Sequence, residues 1–428
     1  MVSKALEEVK VLEFCQFVAG PYCTKLLADL GAEVIKIEEP GIGDPARKRG
    51  PFLRDIPHAE RSGLFLYLNT NKLGITLNMN TATGKDIFLR MVREVDILVE
   101  DNPPLRIREL GLDYDCLREI NPQLIMTSVT PFGQTGPYQE YKAYPLNIFH
   151  AGGEPCVQYL MSPIRDRAPV AGSLLMGEHD GGLSAATATL AALFYRGMTG
   201  QGQYVDVSKQ ESLIALERLE NVFYANRERP ETQEMIKTWA QGGGMIGGLM
   251  RCRDGYVVLA AMQENQWRGL VELMGHPAWT QDEICRSEET RSMNAQKITT
   301  LVQEWMVNQS QEEVFRSGQE KGVPIGAVNS PKDLVNSPQL RARGFFVEIE
   351  HPEAGKIKYA TAAYQFSKTP WSAQRPAPLL GEHNERIYCG LLGYSSQELV
   401  KMKAAPKQAE KEGTGSVIPR SVPATLAV

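Results

Sequence analysis

The alternation of strand-like and helix-like segments along the first third of the chain constrains its fold more than any other feature. Strand-like "VKVLEF" is followed by helical "PYCTKLLADLG" and then by strand-like "AEVIKIEE". The alternation resumes with "GITLNM", "TGKDIFLRMVREV", "DILVED" and "LIMTSV". Short apolar runs separated by segments of helical period are β-α-β units, which build a mainly parallel sheet with helices on its faces. The first helix is marked at both ends, by Pro21 where a first turn tolerates proline and by Gly31 where a helix stops. The expected fold class is therefore α/β.

The pattern changes further on. A helix over 183–195 and the segment "GQGQYVDVSKQESLIAL" lead to "QGGGMIGGLMRCRDGYVVLAA", a glycine loop and a hairpin turning at Asp254-Gly255, followed by several helices. This reads as a smaller α+β domain. From "GVPIGAVNSPKDLVNS" onward strand-and-loop character returns, including "GFFVEIEHPEAGKIKYA", as a connection back to the first domain. The resulting layout is a large domain begun by residues 1–205, a linker and small domain over 206–330, the rest of the large domain over 331–402, and a flexible tail over 403–428. That tail, rich in Ala, Pro, Lys, Gly and Ser, has too little apolar surface to fold alone.

Composition narrows the function. A chain of 428 residues, 43% hydrophobic and 23% charged, is large enough for two or three well-filled domains. A net charge of −5 argues against a general nucleic-acid binder, and the basic run Arg47-Lys48-Arg49 is too short to reverse that. The 7 cysteines stand singly, as reduced thiols of a cytoplasmic protein do. The acids in "MVSKALEEVKVLEF" do not fit a signal peptide, and no run is long enough to span a bilayer. No membrane association is expected.

Most catalytic motifs are missing. "GIGDPA" satisfies G-x-G-x-x-A, but the prolines after it interrupt the helix that a dinucleotide turn requires. The 6 histidines form no H-x-x-x-H pair and no cysteine lies at zinc-ligand spacing from one, so no metal site is expected. G-x-S-x-G is absent. What remains is "LLMGEHDGGLSAATATLAALFYR", in which Glu178, His179 and Asp180 precede a long Ala-rich helical run. Acids there serve equally as helix caps or as an ionised reagent, because the helix N-terminus stabilises an anion.

A resemblance extends this reading. "FVAGPYCTKLLADLGAEVIKIEEPGIGDPAR" resembles the opening signature of the class III CoA-transferases, and "LNTNKLGITLNM", "DILVEDNPP", "LGLDYDCLREINPQLIMTSVTPFGQTGPY", "TATLAALFYRGMTGQGQYVDVS", "CRDGYVVLAA" and "LLGEHNERIYCGLLGY" are similar to family segments in the same order. The resemblance implies a Rossmann-like large domain built from both chain ends, a small middle domain, and an interlocked homodimer or a heteromer with a related subunit. It also implies CoA and acyl-CoA as substrates beside a carboxylic acid, with succinyl-CoA as one candidate donor and no tightly bound cofactor. In the family an enzyme carboxylate attacks the donor thioester and passes through anhydride and enzyme-thioester intermediates.

The family nucleophile is an aspartate in G-D-x-x-x-G. The aligned residues, Gly177 to Gly182, put Glu178 at that position, with Asp180 as the alternative acid and as the helix cap. The extra methylene of Glu displaces a carboxylate by about 1.5 Å. CoA contacts implied by the family fall on Val18, on the loop through Arg47, on Asn71 and Lys72, on Asp101 and Asn102, and on Lys142 and Tyr144. The family's CoA-facing arginine aligns with Glu109, which leaves Arg106 or Arg108 to serve. Gly242, Gly243 and Gly244 resemble the mobile loop over the family's active site, while Gln16 and His150 are candidates for the acyl pocket. Three functions are compatible with the resemblance: an active transferase, a non-nucleophilic subunit of a heteromeric transferase, and an acyl-CoA racemase. The last needs a histidine base where this chain has Tyr144.

Overall fold

The structure, a computed structural model, describes residues 4–156, 168–170, 172, 175–216, 224–231, 233 and 244–398. Six strands, β1 (Lys10–Phe14), β2 (Glu33–Glu38), β3 (Leu73–Thr76), β4 (Ile97–Glu100), β5 (Ile125–Thr130) and β6 (Tyr204–Ser208), pair in the order β3-β2-β1-β4-β5-β6. Every pairing is parallel. All residues of β4 and β5 are buried, as strands covered on both faces must be. This is the doubly wound order, which reverses its winding between β1 and β4 and collects ligands at the carboxyl ends of the strands there.

The helix Ala19–Asp29 crosses from β1 to β2 with Pro21 in its first turn. It stops at Gly31, whose φ of +111° and approach to the Lys4 side chain exclude a Cβ. After β2, "GIGDPA" leads into a 3-10 turn, Pro45–Lys48, rather than an α-helix. Asp44 closes that turn by accepting the Ala46 N–H at 2.8 Å.

The helix expected over 183–195 is longer at both ends, Met176–Thr199, and its N-cap is Leu175, which makes no side-chain cap bond. The assignment of Asp180 as cap is therefore corrected: it lies inside the helix, beyond the first turn, while Glu178 lies in the first turn. The glycines carry the helix through this stretch because neighbouring elements leave no room for side chains. A Cβ built on Gly182 would lie 2.5 Å from the Ala19 carbonyl oxygen, and one on Gly177 would lie 3.0 Å from Leu213 Cδ1.

β7 (Ile246–Arg251), β8 (Tyr256–Ala261) and β9 (Ile325–Ala327) form an antiparallel sheet in the order β7-β8-β9. The hairpin reverses over 252–255, around the expected Asp254-Gly255, and Cys252 N–H donates to Gly255 O at 2.8 Å. Trp267, Leu270, Ile298, Val302 and Met306 fill a core of its own beneath this sheet. A second hairpin, β10 (Phe346–His351) with β11 (Gly355–Ala360), shares a core with Ala46, Phe65 and Leu66. Residues from His383 onward form a second compact unit, whose described part holds a π-helical stretch, Arg386–Leu391. The tail over 403–428 lies outside the described residues, as do Gly242 and Gly243. No described helix is long and apolar enough to cross a membrane.

Candidate active site

A cleft of about 1030 Å³ opens at the carboxyl ends of β1 and β4, the point where the winding of the sheet reverses. Among the residues expected from sequence, it brings together Gln16, Asp101, Asn102, Arg106, Lys142, Tyr144 and Glu178. Pro131, Tyr141, Ala143 and Pro145 supply apolar wall, and Lys48 and Arg49 add cations.

Glu178 sits in this wall only 4% exposed, carried there by the first turn of the Met176–Thr199 helix. Lys209 lies opposite and donates from Nζ to both carboxylate oxygens, at 3.0 Å to Oε1 and 2.8 Å to Oε2. Lys209 opens the short helix Lys209–Ile214, which Ser208 caps at the end of β6. Its stem passes where Gly181 has no side chain, since a Cβ there would lie 3.0 Å from Lys209 Cγ. The glycine spacing around Glu178 is thus what brings the lysine to it. An ion pair shielded to this degree holds its carboxylate in one orientation, as two charge-assisted hydrogen bonds do.

Gln16 N–H donates to both oxygens of Asp101, at 3.0 and 2.9 Å, and so ties the end of β1 to the end of β4. Enclosure by the surrounding protein pushes the Asp101 carboxyl well above its usual range, although the Gln16 hydrogen bond and the charge of Lys209 act against it. Behind it, burial pushes Glu100 up to about 7, against the hydrogen bonds it receives from Asn102. Asn102 Nδ2 also donates to Phe14 O at 3.1 Å. This polar rim is held by backbone on one side and acids on the other.

Asp180, the alternative acid, does not line the cleft. Burial and the neighbouring Glu154 push its carboxyl up, and its Oδ2 has no hydrogen-bond partner among the described residues. The structure also places Val18, Arg47, Asn71 and Lys72 away from the cleft surface. Val18 is fully buried at the N-cap of the Ala19–Asp29 helix. The Arg47 guanidinium is gripped by Glu38 at 2.7 and 2.8 Å, by Glu60 at 2.5 Å and by Pro378 O at 3.0 Å, and it stacks 3.6 Å over the Phe65 ring. Asn71 Nδ2 donates to Asp29 and to Ser372 O, each at 2.7 Å. Lys72 Nζ reaches Glu13 at 2.8 Å and Pro21 O at 2.8 Å.

Arg108, which does not line the cleft, pairs at 2.7 Å with Glu140 of its wall, and Arg106, which lines it, hydrogen-bonds Asn80. His150 is exposed and gives its Nδ1 to Leu146 O at 2.9 Å. Gly244, with φ +66°, packs against Ser292 at the start of β7. Among the described residues no three His, Cys, Asp or Glu side chains gather as metal ligands would.

Lys209 is the site residue that sequence reasoning passes over. One signal was available: it stands one position past the carboxyl end of a parallel strand, where doubly wound sheets place functional side chains. Nothing local links it to an acid 31 positions earlier.

Comparison with known proteins agrees with this geometry. The chain is 33% identical over 416 residues to a formyl-CoA:oxalate CoA-transferase of Streptomyces avermitilis, covering 94% of this chain and 99% of that protein. It is 32% identical over 426 residues to a formyl-CoA:oxalate CoA-transferase of Shigella sonnei, covering 94% and 99%. The crystal structure of a CAIB/BAIF family protein from Brucella suis superposes with a TM-score of 0.77 at 27% identity, over 91% of this chain and 99% of that one. The sequence model described as CoA-transferase family III matches residues 6–384, a span that contains the whole parallel sheet and every wall of the cleft. With sheet order, cleft and sequence pointing the same way, the chain belongs to CoA-transferase family III, whose substrates are CoA thioesters.

Proposed function

We propose that this chain is an active CoA-transferase with Glu178 as its nucleophile, and that formyl-CoA and oxalate, the pair in the names of its relatives, are the first donor and acceptor to test. Succinyl-CoA is the second donor to test. The observation that carries the reading is the Glu178 carboxylate, held by Lys209 at 2.8 Å and set into the wall of a large cleft at the switch point of the sheet.

In the proposed reaction a Glu178 oxygen adds to the donor's thioester carbonyl and the C–S bond breaks, giving an anhydride and CoA thiolate. The thiolate then adds to the Glu178 carbonyl carbon and the bond from that carbon to the bridging oxygen breaks, releasing the donor's carboxylate with that oxygen and leaving a glutamyl-CoA thioester. The acceptor carboxylate runs the same two steps in reverse. CoA lies along Asp101, Asn102, Arg106, Lys142 and Tyr144, with Gln16 in the acyl pocket. A large domain that joins residues 1–205 to the stretch from 331 to Glu382, with a separate small domain, is supported by the core under β7-β8-β9 and by the packing of β10 and β11 on Ala46 and Phe65. A cytoplasmic setting accords with free thiols.

The ion pair also supports a second reading. Both oxygens of Glu178 are engaged, as they would be in a subunit whose partner chain carries the nucleophile. Incubation of the purified chain with formyl-CoA or succinyl-CoA, then hydroxylamine, separates the two by peptide mass. The expected result is a hydroxamate on Glu178, absent from Glu178→Gln, together with loss of transfer to oxalate in that variant. Transfer by Glu178→Gln at the wild-type rate, or no adduct on wild type beside activity only in complex with a related chain, would overturn the active reading. Racemisation has less support, because Tyr144 stands in the cleft where a histidine base is needed.

A further inference from the structure

We propose that Lys209 is the carboxylate receptor of this site: when Glu178 is consumed as a thioester, the Lys209 ammonium binds the carboxylate of the departing and the arriving acid in its place. This rests on the proposed role of Glu178 and adds the group that recognises its acid substrates.

The argument is one of charge. The proposed transfer takes up and releases no proton, and the reacting groups carry a single negative charge throughout. That charge sits on Glu178 in the resting enzyme, on CoA thiolate at each anhydride stage, and on a free carboxylate once the enzyme thioester has formed. Esterification therefore strips Lys209 of the partner that it holds at 2.8 and 3.0 Å. The Lys209 side chain is only 12% exposed, so water compensates poorly for the lost carboxylate, and an ammonium left unpaired in such a place is costly. Asp101, a second acid that feels the Lys209 charge, already accepts the Gln16 N–H with both oxygens. An incoming carboxylate in the cleft restores the pair, and it does so beside the carbonyl carbon that it has to attack. Among the described residues Lys209 is the cation paired with Glu178, whereas Arg106 and Lys142 line the cleft without pairing with it, so Lys209 couples acid binding to the state of the nucleophile.

The Glu178→Gln variant tests this without turnover, because its side chain, like the thioester, is a neutral acyl group with one carbonyl oxygen. Calorimetric titration with oxalate at fixed ionic strength should show Glu178→Gln binding at least ten-fold tighter than wild type. The charge-balanced double variant Glu178→Gln/Lys209→Met, in which no buried charge is stranded, should lose that gain. Equal affinity in wild type and Glu178→Gln, or a gain retained by the double variant, would overturn the proposal. Hydroxylamine trapping on the wild-type chain keeps the two ideas apart. A Glu178 adduct without a gain in oxalate affinity sinks the receptor and leaves the nucleophile. Absence of any adduct removes the thioester on which the receptor depends and overturns both.

Discussion

Under the proposed assignment Glu178 stands in for an aspartate one methylene shorter, a difference of about 1.5 Å in reach. In the structure both of its carboxylate oxygens meet Lys209, whose stem occupies the space that Gly181 leaves open. A second acid nearby behaves differently. Among the described residues no cation pairs with Glu100, and burial raises its carboxyl from 4.5 to about 7. A carboxyl whose folded-state pKa is raised favours folding below its unfolded pKa, and that contribution disappears as pH climbs through the folded value. Wild type should accordingly lose stability between pH 4.5 and about 7, on the order of 3 kcal/mol from this group. Glu100→Gln, which cannot ionise, should match wild type at pH 4 and exceed it at pH 8 in urea unfolding. A constant difference across that range would show that Glu100 does not titrate there.

At the scale of elements, the site depends on how closely three helices approach. The Met176–Thr199 helix lies against the Ala19–Asp29 helix at Gly182 and against the Lys209–Ile214 helix at Gly177 and Gly181. Gly182 faces backbone, the Ala19 carbonyl oxygen, which cannot swing aside as a side chain would. Helix propensity alone predicts that Gly182→Ala stabilises by about 1 kcal/mol. The 2.5 Å approach predicts the opposite, a loss of about 1–3 kcal/mol from overpacking. Chemical unfolding of Gly182→Ala decides the sign, and a stabilised variant would mean that the helices can separate at no cost. Gly197, near the far end of the same helix, has nothing within 4 Å of a built Cβ and serves as the control that should follow propensity.

For the whole molecule, two networks link distant stretches of chain. Glu13 on β1 pairs with Lys36 at 2.7 Å and Lys72 at 2.8 Å, all three fully buried, and Lys36 reaches on to Asp44 at 2.8 Å. Burial would raise the Glu13 carboxyl, but the two lysines outweigh it and hold it down at about 2. Arg47 in turn joins Glu38 and Glu60 to the carbonyl of Pro378. The Met176–Thr199 helix, in contrast, leaves apolar side chains uncovered: Phe194 is 70% and Met198 65% exposed, on the same face as Leu183 about three to four turns earlier. A face of this kind is the mark of an interface, and it supports the interlocked assembly implied by the resemblance. Sedimentation at low micromolar concentration should give a mass of two chains or more, and Phe194→Lys should shift the distribution toward smaller species. A stable wild-type monomer would count against interlocking.

What the sequence determined by itself is what depends on neighbours along the chain. Alternating periods announced the β-α-β units, Pro21 and Gly31 bracketed the first helix, and the order of family-like segments pointed to the family. The start of the Met176–Thr199 helix was misread because capping residues and glycines look like a boundary locally, and only the Ala19 helix and Leu213 beside them explain why a helix runs through. Arg47, Asn71 and Lys72 illustrate the other limit, since a long polar side chain in a site-like segment can turn either toward a ligand or toward buried acids. Here Glu38, Asp29 and Glu13 take them. The tertiary structure alone decided the partner of Glu178, because Lys209 meets it through the approach of two helices that no local pattern encodes.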